Sequence, residues 1–252
     1  FSYLALHYGP EKLVDWVKRD SGSSRYFSSQ FEKVYGSPLD SEWDKWIDFE
    51  HQWQEANLES IRTYPITPQR VLSRQPLGSV SRAYFNPEKR ELYVAVGYPG
   101  EFSHIAAINI DTREARKICE IATPALYYVT SLAYDDSTST LFYTTDNSRG
   151  WRDIHAVDVN SCRSREVMKN CRTGDLVLNR KDRSLWGIQH DNGISRIVMF
   201  PYPYEDGFEV MALKYGKDMI DLDISPDGEY LTGTMTEIDG SQKLIRLETE
   251  KL

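Results

Sequence analysis

Apolar and polar positions along the chain follow two different rhythms. Over residues 1–62 the apolar ones recur at helical spacing. Phe1, Leu4, Leu6 and Tyr8 precede a Gly9-Pro10 break, and Leu13, Val14, Trp16 and Val17 follow it. Tyr26, Phe27, Phe31, Val34 and Tyr35 form a second stripe, closed by Gly36 at a C-cap position. Asp40 is placed to N-cap the next helix, which carries Trp43, Trp46, Ile47, Phe49, Trp53 and Leu58. Residues 63–79 hold Pro65, Pro68, Pro76 and Gly78, which predicts a linker with one edge strand around 69–73.

Beyond residue 80 the rhythm changes to short strands and turns. Four stretches keep one spacing: Phe85 to Leu92, Tyr134 to Leu141, Leu178 to Leu185 and Ile224 to Leu231. Each is an apolar strand end, six turn-type residues, and a Leu that opens a new strand. The starts at 85, 134, 178 and 224 give periods of 49, 44 and 46 residues. Periods of this size mark a solenoid, propeller or array. Four strands fit each period: 80–85, 92–96, 105–110 and 116–121 in the first, 129–134, 141–145, 154–159 and 165–168 in the second. The third has 175–178, 185–189, 197–200 and 208–213, and the fourth 220–224, 230–235 and 244–247. The expected fold class is mainly β with an N-terminal α segment. It is a partial β-propeller of four successive blades, about 80–121, 129–171, 173–216 and 219–252, the last without an outer strand. Leu92, Tyr93, Val94, Ala95 and Val96 are apolar at successive positions, as are Ile105 to Ile108. A strand covered on both faces loses its polar alternation, whereas a two-layer sandwich would keep it.

Bulk numbers limit the function. The chain has 252 residues, 40% apolar and 27% charged, with a net charge of -8. That balance suits a soluble globular protein and opposes non-specific nucleic-acid binding, which needs a basic footprint. No apolar run approaches the ~20 residues that span a bilayer. Cys119, Cys162 and Cys171 are expected to be unpaired. Cys162 and Cys171 would flank one strand, roughly 30 Å apart if extended, and a disulfide needs less than ~7 Å between Cα atoms. No pair has short zinc-ligand spacing. His51 and Glu55 stand at i, i+4 on the last helix, but His51-Gln-Trp-Gln-Glu55 lacks the Glu that a zincin helix places after its first His, so a solvated helical pair is expected.

Two resemblances add to this reading. Phe1-Ser-Tyr-Leu-Ala-Leu-His-Tyr-Gly-Pro-Glu-Lys-Leu13, Phe31-Glu-Lys-Val-Tyr-Gly36, Leu39-Asp40 and Glu42-Trp43 resemble the C-terminal helical tail of gluzincin-type metallopeptidase-like domains. In that family the tail follows a His-Glu-x-x-His zinc helix, and this chain has none. The resemblance therefore implies that any catalytic residues and zinc belong to an upstream domain, with no cofactor in this segment. Ser225-Pro-Asp-Gly228 is similar to the a–b turn of TolB-like and WD-like propeller repeats, with Asn86-Pro-Glu88 in the same place. Pro226 pre-sets φ and Gly228 supplies a positive one. This second resemblance covers residues 80–252 and implies a propeller fold with more blades in a parent protein, in a cell-envelope, periplasmic or secreted setting. Fold alone does not imply an activity.

Ligands of a propeller meet the face built from b–c and d–a loops. Repeat alignment puts His104, Asp153, Arg196 and Lys243 at one equivalent position, the start of strand c. The b–c loops add Tyr98, Glu101, Asp146, Asn147, Trp151, Arg152, His190, Asp191 and Asn192, and the d–a loops add Tyr127, Tyr128, Tyr215 and Asp218. Such a mixed polar and aromatic surface suits a protein, peptide or glycan ligand; equally, its aromatics can pack between blades while its charges pair. Asp175 and Asp221 align on the innermost strand and are candidates to line the channel, where a carboxylate pair can bind a cation or do acid–base work. The run Asp221-Leu-Asp-Ile-Ser-Pro-Asp-Gly228 fails the calcium-loop spacing. The sequence has no Gly-x-Ser-x-Gly elbow and no Gly-rich phosphate loop. Three functions stay open: a non-catalytic binding or scaffold propeller behind a metallopeptidase-like domain, the gating propeller of a prolyl-oligopeptidase-type hydrolase, and a propeller with its own loop-face active site. The second requires a downstream Gly-x-Ser-x-Gly segment, and the helical tail in front fits it poorly.

Overall fold

The computed structural model describes residues 1–74, 76–122 and 130–252. They form two compact units, Phe1–Arg70 and Val71–Leu252. The first holds helices α1 (Ser2–Tyr8), α2 (Pro10–Val17), α3 (Phe27–Tyr35) and α4 (Leu39–Arg62). Gly36 caps α3 at φ 77°. Asp40, expected as an N-cap, instead lies in the first turn of α4, because Pro38 takes the cap position. Pro cannot continue a helix backwards but tolerates its start. Glu42 in the same turn is buried and receives hydrogen bonds from Tyr8 Oη and Ser37 Oγ, both at 2.8 Å, and from Lys45 Nζ at 2.6 Å. His51 and Glu55 are both exposed on α4. Residues 69–73 form no strand. Among the described residues no helix is long and apolar enough to cross a membrane.

The second unit consists of four antiparallel sheets in a propeller arrangement. The first blade has β1 (Ser79–Val80), β2 (Tyr84–Asn86), β3 (Glu91–Gly97), β4 (His104–Asn109) and β5 (Ala115–Glu120). The second has β6 (Leu132–Asp135), β7 (Thr140–Asp146), β8 (Arg152–Asp158) and β9 (Ser164–Met168). The third has β10 (Thr173–Leu178), β11 (Leu185–Asp191), β12 (Ile194–Phe200) and β13 (Phe208–Ala212); the fourth has β14 (Asp218–Ile224), β15 (Tyr230–Thr236) and β16 (Gln242–Glu248). The two ends of every repeat are cross-strand partners: Phe85 with Leu92, Tyr134 with Leu141, Leu178 with Leu185, and Ile224 with Leu231.

Local chemistry closes these hairpins. The Oδ1 atoms of Asn86, Asn109, Asp135, Asp158 and Asn179 each accept the amide two residues on, at 2.9–3.1 Å. Four residues after each of them the chain turns left-handed, at Arg90, Arg113, Ser139, Cys162 and Arg183, with φ of 54–62°. None of the five is Gly, so each turn carries backbone strain. The fourth repeat uses Gly228, at φ 75°, instead.

Both faces of the middle strands are covered. Tyr93, Ile105, Leu132, Leu141 and Val157 belong to a core between the first two blades. Ala133, Phe142, Ile154, Leu176 and Val198 fill the next, and Val177, Trp186, Ile197, Met219 and Leu231 the third. On β7, Leu141 and Phe142 thus point to opposite neighbours, and both are buried. The other face of the first blade buries Val94, Val96, Ala106 and Ile108, with Leu77 packed against them. Cys119, Cys162 and Cys171 are all free thiols.

The turns generate a prediction of opposite signs. Arg113→Gly relieves a left-handed φ at an exposed site and should raise stability by about 0.5–1 kcal/mol. Gly228→Ala adds strain at φ 75° and puts a Cβ 2.2 Å from Asn179 Oδ1, so it should cost about 1–3 kcal/mol. Urea unfolding of the two variants against the parent chain measures both.

Candidate functional site

The loop face is built differently from the sequence expectation. Strands β7, β8, β11, β12 and β14 run further toward it than predicted, so Asp146, Arg152, His190, Asp191 and Asp218 lie in strands rather than in loops, and Asp153 and Arg196 lie near the starts of β8 and β12. Between β11 and β12 only Asn192 and Gly193 remain, at φ 51° and 75°. Two successive positive φ values make the tight turn that Asn-Gly favours. Strand register keeps His104, Asp153, Arg196 and Lys243 at one position: they pair with Val96, Thr145, Gln189 and Met235, each four residues after a repeat's opening Leu.

The structure brings some of these residues together and leaves others apart. Arg172, which joins the second and third blades, stacks its guanidinium 3.9 Å from the Trp151 ring and pairs with Asp191. Asp191 also pairs with Arg196 Nη1 at 3.3 Å. Arg196 Nε approaches Glu209 Oε2 at 2.7 Å, off the line of a hydrogen bond. Trp151, Arg172, Asp191 and Arg196 therefore form one continuous charge and ring network. His104 instead bonds the Phe102 carbonyl at 2.9 Å, within its own blade, and Lys243 lies 3.6 Å from Glu237 in the fourth blade. Tyr215 is exposed. Tyr127 and Tyr128 lie outside the described residues.

His190, Ser195 and Asp218 also meet, but not as a nucleophile triad. Ser195 Oγ donates to Asp218 Oδ1 at 2.7 Å and lies 3.1 Å from His190 Nδ1. In a triad the imidazole stands between the hydroxyl and the carboxylate. Here the hydroxyl stands in the middle and is itself buried, so it ties the third blade to the fourth.

The inner strands carry the more unusual geometry. In the first, third and fourth blades the inner strand is broken three residues before its repeat start, at positions 82, 175 and 221, and Ser131 holds the equivalent position in the second. In the first blade the break separates β1 from β2 at Arg82, and in the second Ser131 stands just ahead of β6. In the third and fourth, ladder register shifts between Gly174 and Val177 and between Ile220 and Asp223. Asp175 and Asp221 occupy these bulges in left-handed conformations, φ 47° and 57°. Bulges re-aim side chains next to sites. Arg82, Ser131, Asp175 and Asp221 line one cavity of about 250 Å³.

Its polar groups have unequal support. Arg82 Nη1 donates to the Leu222 carbonyl at 3.0 Å and lies 3.5 Å from Asp223. Ser131 Oγ accepts the Leu176 amide at 2.6 Å. Arg152 reaches over the third blade, its Nη1 only 2.2 Å from where a Cβ on Gly174 would stand. Burial pushes the Asp175 carboxyl above the usual range, and the negative charge of Asp221 adds to it, against the opposing pull of Arg152 and Arg82. Arg82 and Ser131 escaped the sequence reading. Their signal was present in the fixed offset from the repeat start, but their residue types do not match the two Asp.

No family model and no curated protein matches the chain. Solved structures do. TolB from Acinetobacter baumannii superposes with a TM-score of 0.57 at 9% identity, over 69% of this chain and 42% of its own. A TolB structure from Agrobacterium tumefaciens gives 0.54 at 10%, over 66% and 60%. A chain of a nidogen/laminin complex gives 0.52 at 12%, over 67% and 65%. The present chain thus spans less than two thirds of each. At these identities the likeness is one of fold: the described residues between 79 and 248 form a TolB-like β-propeller arrangement of four blades.

The raised Asp175 pKa has a definite linkage sign. In the unfolded chain Asp175 ionises near pH 3.9, and in the folded chain it does so at higher pH. Its contribution to stability is intact below the unfolded value and is lost as pH rises through the folded one. Asp175→Asn should therefore gain stability over the parent chain as pH rises from about 4 to 7, and gain nothing below it. Urea midpoints at a series of pH values test this; a constant difference across the series contradicts it.

Proposed function

We propose that this chain is a non-catalytic β-propeller binding module whose ligand is a protein or peptide met on the loop face, with a basic group entering the channel cavity. The observation that carries the reading is the cavity itself. Four equivalent inner-strand positions converge on it, two of them bear carboxylates held in strained backbone, and burial together with the second carboxylate raises the pKa of Asp175. Local strain of this kind accumulates at functional sites. A cationic side chain placed between Asp175 and Asp221 would offset both their mutual repulsion and the burial of Asp175. The network around Trp151 and Asp191 supplies a preformed polar and aromatic rim of the kind that recognition surfaces use. The nidogen/laminin structure gives a precedent for such a propeller fold within a protein complex.

The remaining parts of the proposal follow from resemblance. The resemblance of residues 1–62 to a gluzincin-type tail supports attachment to an upstream metallopeptidase-like domain that would carry the zinc and the catalysis. The likeness to TolB structures supports a setting in a bacterial cell envelope, periplasm or secreted protein. The acidic net charge of -8 argues against nucleic acid as the ligand.

Fluorescence polarisation with extended peptides that differ only in a central Lys, Gln or Glu tests the channel. The Lys peptide should bind best, and Asp175→Asn combined with Asp221→Asn should weaken it about tenfold or more while leaving the Gln peptide unchanged. Equal binding of all three peptides by both proteins would sink the proposal. Peptide turnover that the double substitution abolishes would replace it with a catalytic reading.

A further inference from the structure

A second cluster stands apart from the channel, on the outer strands of the second blade. Alternation along β8 turns Asp153 and His155 to one face. Register makes Glu166 of β9 the direct partner of His155, just after a shift in the ladder between Ile154 and His155. One donor atom from each of the three lies within 4.8 Å of the other two. Two of these donors are carboxylates and the third is an imidazole whose ring lies 5.5 Å from that of Tyr143.

Asp153 supplies an independent reason to expect a cation. It is 4% exposed and, among the described residues, forms no ion pair. Its Oδ1 accepts Asn147 Nδ2 at 2.9 Å and the Asn170 amide at 2.6 Å. These neutral donors orient the carboxylate without cancelling its charge, which is the arrangement found behind metal ligands. A buried carboxylate without a countercharge is costly, and a bound divalent ion supplies the missing charge.

We propose that Asp153, His155 and Glu166 bind one divalent transition-metal ion, with zinc suited to this imidazole and carboxylate set. Zinc holds such donors at about 2.0–2.2 Å, so two of them at a tetrahedral angle stand about 3.4 Å apart. Separations of at most 4.8 Å therefore need to close by no more than about 1.4 Å. Glu166 can provide that movement. Its side chain is 47% exposed and, among the described residues, its ion pair is with Lys169, at 3.6 Å, an exposed pair that costs little to break. Three protein ligands leave a fourth position open to water or to a donor from a bound molecule. The site is separate from the channel carboxylates, so it stands or falls independently of the proposed ligand there.

Isothermal titration of the intact chain with zinc chloride, paired with metal analysis after dialysis, tests the site. We expect one zinc per chain with a micromolar or tighter Kd, weakened about tenfold or more by His155→Ala and by Glu166→Gln. His190→Ala and Cys162→Ser should leave the affinity unchanged. Zinc should raise the Tm of the parent chain but not of His155→Ala. Glu166 is exposed on an outer strand, so its amide variant tests binding without threatening the fold. Absence of saturable binding at roughly 100 µM zinc, parent-like affinity in both ligand variants, or loss of binding on His190→Ala or Cys162→Ser would each overturn the assignment.

Discussion

Burial on two faces is the constraint from which the propeller unit follows. A sheet with one wet face can alternate apolar and polar residues, but Leu141 and Phe142 are neighbours in β7 and both are buried. Each therefore needs its own covering sheet, and the cores on either side of the second blade provide them. Stacking sheets in this way forces their first strands toward a common centre. The centre is narrow, and an uninterrupted ladder of large side chains would crowd it. The inner strands of the first, third and fourth blades break instead at one equivalent position, and a polar residue stands at that position in all four. The channel cavity is thus a consequence of how the blades pack.

What the sequence revealed and what it hid divide along the range of the interactions. Hairpin ends such as Phe85 and Leu92 were legible because six local turn residues set their register. The shared position of His104, Asp153, Arg196 and Lys243 was legible for the same reason, since it counts four residues along strands that open at the same Leu. Left-handed Arg90, Arg113 and Arg183 were not legible, because arginine carries no turn signal; the Asx residue four positions earlier dictates them. Strand ends near the loop face were placed too far in. Asn192-Gly193 signalled a two-residue turn there, whereas polar strand ends such as His190 and Asp191 read as loop. Asp153, His155 and Glu166 meet through a shifted register between two strands, and no spacing in the sequence encodes that.

The polar groups of the unit fall into two kinds. On the loop face, Asp191 is shared between two arginines and Ser195 is held between His190 and Asp218. These charges and hydroxyls are met by partners already present, and they bind blade to blade. Their value is geometric, because they hold Trp151 and Arg196 in fixed orientations. In the channel and beside His155 the balance is different. Asp175 is burdened by burial and by a second carboxylate, and Asp153 is buried with only neutral donors.

Such imbalance separates a site from a scaffold more sharply than residue type does. An internal partner for Asp175 was available in principle, since Arg82 stands at the equivalent position of the first blade. Its Nη1 is instead committed to the Leu222 carbonyl and lies near Asp223, and Arg152 is spread over Gly174. Both arginines lower the cost of the Asp175 charge, yet the net direction remains upward. A fold selected for stability alone would replace one of the two aspartates by a neutral residue at no loss of packing, as Ser131 shows in the second blade. Retaining both, in backbone conformations that disfavour most side chains, makes sense when something outside the chain completes the charge.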